Sequence, residues 1–123
     1  MYRMNCEIAK KINRGDEMAK ERRDQLKDYL FEAILTLETV EDCYNFFDDI
    51  CTIKELDEMA KRMCGAKMLD ENKVYTEITE KTGLSTATIS RINRCLKYGS
   101  NGYTETLRRL DERGVKAPDI VEE

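Results

Sequence analysis

The spacing of apolar positions predicts a run of short amphipathic helices from about Arg23 to Arg113. Leu26, Leu30, Ala33, Ile34 and Leu37 fall on one face of a first helix over 23–39. Thr39 is placed to cap a second, with Asp42 three residues on and Val40, Cys43, Phe46, Phe47 and Ile50 as its apolar positions. Thr52 opens a third in the pattern T-x-x-E, where Glu55 completes a capping box. Its stripe is Ile53, Leu56, Met59, Ala60, Met63, Ala66 and Met68 or Leu69, and Asp70-Glu71-Asn72 ends it. Two further helices lie within Lys73–Leu96. A last short one, over 103–113, carries Tyr103, Leu107 and Leu110 and stops at Gly114.

The prediction is therefore six helices in one all-α domain over 23–113, with no internal repeat. Residues 1–22 are charged and weakly patterned, with a break at Asn13-Arg14-Gly15-Asp16, and read as a partly ordered N-terminal arm. Residues 114–123, with Pro118, read as a flexible C-terminal tail.

Lys73–Leu96, KVYTEITEKTGLSTATISRINRCL, has the pattern of a helix-turn-helix. Ile78, Leu84, Ile89 and Ile92 supply the apolar positions. Gly83 stands where the chain must turn sharply, a place where φ > 0 costs glycine least. Ser85 follows as the cap of the second helix, its hydroxyl able to accept from an unpaired backbone N–H. Ile89, Ile92 and Leu96 then face inward, and Thr86, Ala87, Ser90, Arg91 and Arg94 face outward. Short hydroxyls can bond phosphates or base edges, an alanine methyl can meet a thymine methyl, and arginine can grip guanine O6 and N7 in a fork. The N-terminus of this helix, with Ser85, Thr86 and Thr88, favours a phosphate. The expected reading is a major-groove DNA binder, with Lys73 and Lys97 on phosphates.

A net charge of −4 looks wrong for such a function. Its distribution changes the picture. Between Lys73 and Asn101 five basic residues (Lys73, Lys81, Arg91, Arg94, Lys97) outweigh two acidic ones, a local +3 that leaves −7 for the rest.

The chain has no histidine, so the side chain most used for proton transfer at neutral pH is missing, and no carboxylate pair stands out as catalytic. An enzyme is not expected. The five cysteines, Cys6, Cys43, Cys51, Cys64 and Cys95, show no C-x-x-C spacing. No metal site and no cofactor are expected, and the thiols read as reduced and mostly buried. No stretch approaches the ~20 apolar residues of a membrane span. The first residues lack the apolar core of a signal peptide, and the expected location is the cytoplasm.

Several apolar stripes are wide for one small chain. Tyr29, Phe31, Tyr44, Phe46 and Phe47 cannot all be covered by six short helices, which predicts an interface. A homodimer would suit a DNA reader, since two half-sites need two reading helices. The alternatives are a monomer with scattered surface aromatics and a helical protein-interaction module that binds no DNA.

The stretches YNFFDDICTIKELDEMAKR and STATISRINRCLKYG resemble the Trp repressor superfamily, and the chain from about Gln25 to Leu110 is similar to its YerC/YecD-type branch. The resemblance implies an all-helical fold in which two chains intertwine through their N-terminal helices, and a dimeric transcriptional regulator, expected to be a repressor. In the tryptophan-responsive members a threonine and an arginine of the third helix and an arginine of the reading helix surround the amino acid. The matching positions here are Thr52, Arg62 and Arg91. Those members have glycine directly after the reading-helix arginine, leaving room for the indole; this chain has Ile92. The expectation is a vestigial pocket, Thr52, Arg62, Arg91 and Ile92, filled by protein, so that tryptophan is not a corepressor and no small-molecule effector is expected.

Overall fold

The computed structural model describes residues 24–119, which form six α-helices and no strand. In chain order they are α1 (Gln25–Ile34), α2 (Val40–Ile50), α3 (Ile53–Asp70), α4 (Tyr75–Thr82), α5 (Thr86–Tyr98) and α6 (Gly102–Glu112). The chain divides into two compact units, one ending at Ile50 and one beginning at Cys51. Residues 1–22, expected to be an arm, lie outside the described residues.

In the first unit, Asp24 caps α1 by accepting from the Lys27 N–H at 2.7 Å. The helix ends at Ile34, short of the predicted Thr39. The Thr36 hydroxyl donates to the Ala33 carbonyl at 2.7 Å, and the N–H groups of Thr36 and Leu37 reach the i−3 carbonyls at 3.1 and 3.0 Å. These tighter bonds take acceptors that a continuing α-helix would need. Thr39 then starts α2 as predicted: its hydroxyl accepts from Asp42 N–H, and the Asp42 carboxylate accepts from Glu38 N–H, both at 3.0 Å.

Neither α1 nor α2 contains a fully buried residue. Leu26, Tyr29, Leu35 and Val40 are 85, 81, 75 and 73% exposed. Phe31 and Tyr44 are exposed as well, while Phe46 and Phe47 are half-buried and meet edge to face at 5.3 Å.

The second unit holds the core: Ala66, Ile78, Leu84, Ile89, Ile92 and Leu107. Helix α3 is its spine and packs against α4, α5 and α6. The Thr52–Glu55 capping box is formed in both directions, at 3.1 and 2.9 Å, and the N–H of Thr52 holds the Glu55 carboxyl below its ordinary range. Only the C-terminal part of the predicted α3 stripe is covered within this unit. Met63, Ala66, Met68 and Leu69 join the core, whereas Ile53 is 84% exposed and Met59 and Ala60 are exposed. The packing helices meet α3 around Gly65 and Ala66, a full turn or more beyond those positions.

Helix α3 closes with Asn72 at φ 64°, Lys73 N–H on the Met68 carbonyl and Asn72 N–H on that of Leu69. Helix α6 closes the same way, with Gly114 at φ 70° and Val115 N–H on the Leu110 carbonyl. Beyond it, Val115, Ala117 and Pro118 line an apolar cleft of about 170 Å³ with Met63, Leu107 and Leu110.

The cysteines differ from expectation. Cys43 and Cys95 are exposed, and Cys51 and Cys64 are only half-buried, all as free thiols. Cys43 lies on a helix with no buried residue, and Cys95 falls one residue off the inward Ile89–Ile92–Leu96 stripe. Among the described residues, no helix is long and apolar enough to cross a membrane, and no cluster of His, Cys, Asp or Glu could hold a metal ion.

Candidate nucleic-acid interface

Helices α4 and α5 and the turn Gly83-Leu84-Ser85 form the predicted helix-turn-helix. Gly83 takes φ 77°, and its N–H closes α4 on the Thr79 carbonyl. Ser85 caps α5: its hydroxyl accepts from Thr88 N–H at 3.1 Å and donates to Thr88 Oγ1 at 3.0 Å. Helix α5 runs to Tyr98, past the predicted Leu96.

Two faces of α5 are sharply different. Ile89 and Ile92 are 0 and 2% exposed against α3 and α4. Thr86, Ala87, Ser90, Arg91 and Arg94 are all exposed on the other side. Thr88, predicted with them, is half-buried and its side chain is turned into the cap. Ser85 is exposed, but its hydroxyl proton is already used. Backbone N–H groups of the first turn, Thr86 and Ala87, are therefore the donors still open to an anion there. No ion pair restrains Arg91, Arg94 or Lys97 among the described residues, so their cationic groups can meet a partner. Lys73 and Lys97, at opposite ends of the motif, are exposed; Lys73 lies 3.9 Å from the Glu77 carboxylate, a loose contact that a phosphate would compete with.

Three of the four predicted pocket residues come together. Arg62, Arg91 and Ile92 line one depression of about 210 Å³, with Glu58, Thr88, Cys95 and Tyr103. Thr52 does not line it. It lies ten residues before Arg62, roughly 15 Å along α3 at 1.5 Å per residue, and its hydroxyl serves the capping box. Ile92 belongs to the core, where its Cδ1 lies 3.6 Å from the position a Cβ on Gly65 would take. Glu58 and Cys95 were legible only as neighbours of the two arginines, each one helical turn away at i−4 and i+4. Nothing in the sequence marked Tyr103 beyond its apolar position.

The family profile for the Trp repressor protein matches residues 25–111. The chain is 51% identical over 85 residues to the uncharacterized protein YerC of Bacillus subtilis (strain 168), a match covering 69% of this chain and 82% of that one. The crystal structure of a TrpR-like protein from Eubacterium eligens ATCC 27750 superposes with a TM-score of 0.72 at 44% identity, covering 80% of this chain and 99% of that one. A solved structure from Staphylococcus aureus gives a TM-score of 0.69 at 41% identity, with 80% and 96% covered.

Proposed function

This chain belongs to the Trp repressor family, a regulatory DNA-binding family and not an enzymatic one, and from that premise we propose that it is a sequence-specific transcriptional regulator acting as a repressor. It reads operator DNA in the major groove with α5 and works as a cytoplasmic homodimer without tryptophan. The observation that carries the reading is the outer face of α5. Its first turn presents the small residues Thr86 and Ala87, which allow close approach, and its later turns present unpaired Arg91 and Arg94. Short side chains followed by long cationic ones match a helix that enters the groove N-terminus first. Lys73, Lys97 and Arg62 supply phosphate contacts, which fix register without reading sequence. The mechanism is occupation of a promoter, with no bond made or broken.

The exposed apolar face of α1 and α2 supports the dimer. Leu26 and Tyr29 on α1, Leu35 just past its end and Val40 at the start of α2 are all more than 70% exposed, apolar area of the kind that marks an interface. A second chain would cover it and bring a second α5 to the next half-site.

Selection of bound fragments from genomic DNA, followed by affinity measurements across salt concentrations, tests the proposal. A common motif should be enriched, and log K should fall steeply with log salt, by about 0.9 per neutralised phosphate. No enrichment and a flat salt response would favour the protein-interaction module instead.

A further inference from the structure

The turn between the two helices is held by a buried hydroxyl. Thr82, the last residue of α4, is 5% exposed and is the buried polar residue among those described. Its Oγ1 donates to the Ile78 carbonyl at 2.7 Å and accepts from the Leu84 N–H at 3.1 Å. One hydroxyl thus ties the body of α4 to the middle of the turn, across Gly83 at φ 77°. The residue it holds, Leu84, is 2% exposed and plugs a niche on α3: a Cβ placed on Gly65 would stand 2.9 Å from Leu84 Cδ1. Ile92 Cδ1 borders the same niche at 3.6 Å. The turn is therefore fixed from two sides, by Thr82 from α4 and by the Gly65 niche from α3. Ser85, the cap of α5, is the next residue after Leu84, so the direction in which α5 leaves the turn depends on both.

We propose that Thr82 is a positioning residue for the reading helix: its hydroxyl sets the orientation of α5, and so the sequence discrimination of the protein, without touching DNA. The inference rests on the proposed DNA-binding reading. A buried polar atom with both its donor and an acceptor site used fixes one geometry, because any other leaves the Leu84 N–H or the hydroxyl unpaired. Valine has nearly the shape of threonine and neither bond. Serine keeps both bonds and loses a methyl.

The full-length chain with Thr82→Val and Thr82→Ser decides the matter, measured in two ways. The first is affinity for a fragment selected by the wild-type protein and for a scrambled duplex. Thr82→Val should bind the selected fragment at least tenfold more weakly with scrambled-duplex affinity and salt slope retained. Thr82→Ser should recover to within about threefold. The second is amide hydrogen exchange at Leu84, which needs no DNA. It should accelerate at least tenfold in Thr82→Val relative to Ala66 in the same protein and stay near wild type in Thr82→Ser. Equal loss on both duplexes, equal loss in both variants, or an unchanged preference in Thr82→Val overturns the proposal. A wild-type chain that binds no duplex overturns the DNA-binding reading, while the Leu84 exchange rates still report whether the hydroxyl holds the turn.

Discussion

Arg62 of α3 and Arg91 of α5 line one depression of about 210 Å³, and the buried Ile92 forms part of its wall. Two guanidinium groups that share a depression with a single carboxylate, Glu58, leave it net positive. The same two residues bear both on small-molecule binding at this depression and on the proposed docking of α5 on DNA.

L-tryptophan is expected not to bind. The tryptophan-responsive members of the superfamily keep glycine where this chain has Ile92, and Ile92 here is packed toward Gly65. A side chain 2% exposed thus stands where those members have none, and opening that space would mean repacking a core in which a poor fit costs about 1–3 kcal/mol. Isothermal calorimetry should show no saturable heat. Micromolar saturable binding would sink the idea.

Arg91 and Lys97 should fail in different ways when replaced. Arg91→Ala should weaken the selected site by about 1–3 kcal/mol and relax discrimination at the base it reads. Lys97→Ala should weaken all sequences alike and lower the salt slope by about 1. An Arg91→Ala protein with unchanged affinity, discrimination and slope would mean that α5 does not dock as described.

How far the sequence could be read depended on where the determining contacts lie. The Thr39 and Thr52 caps, Gly83 and the Ile89–Ile92–Leu96 stripe were all legible, because each is decided within a few residues of itself. The end of α1 was not, because a threonine hydroxyl competing for the Ala33 carbonyl leaves no mark in apolar periodicity. The exposure of Ile53 and Met59 was missed for a related reason: periodicity shows that a face is apolar but not what covers it. Thr82 and Gly65 gave no signal at all. One reads as a neutral helix residue and the other as a mild helix breaker, and their roles exist only where α3, α4 and the turn converge.

Replacing Leu26 and Tyr29 by glutamate together should convert the protein to monomers. Both are more than 80% exposed in the single chain, and burying each in a dimer is worth about 1.5–3 kcal/mol, whereas an unpaired buried carboxylate costs more than that. Sedimentation equilibrium should find wild-type dimers at micromolar concentration and monomers for the double variant. Wild-type monomers, or variant dimers, would show that this face is not the interface.

Acid should remove a small contribution from α6. The Glu105 carboxyl is held down from 4.5 to about 2, first by the hydrogen bond from Arg108 and then by the charges of Arg108 and Arg109, against partial desolvation. Its folded pKa lies below the unfolded one, so the contribution is present above pH 4.5 and is lost as pH falls from there through about 2. NMR titration of the carboxyl should give a midpoint near 2 in the wild type and a clear upward move in Arg108→Ala. A native midpoint at 4.5 would contradict the arrangement.

Gly65→Ala sets two effects of opposite sign against each other. Within α3, alanine is favoured over glycine by about 0.8–1 kcal/mol through helix propensity. The added methyl, however, would stand 2.9 Å from Leu84 Cδ1 and 3.6 Å from Ile92 Cδ1, and Leu84 and Ile92 are each 2% exposed, with little room to move. Overpacking a core in this way costs about 1–3 kcal/mol, so the packing penalty wins and the net loss is on the order of 1 kcal/mol. Thermal melting should show a fall of a few degrees. Because the displaced residue is in the turn, specific DNA affinity should fall by more than the stability loss alone explains, since a 1 kcal/mol loss leaves the chain overwhelmingly folded. A stabilised Gly65→Ala protein with full DNA affinity would show that Leu84 yields freely and that its niche does not define the turn.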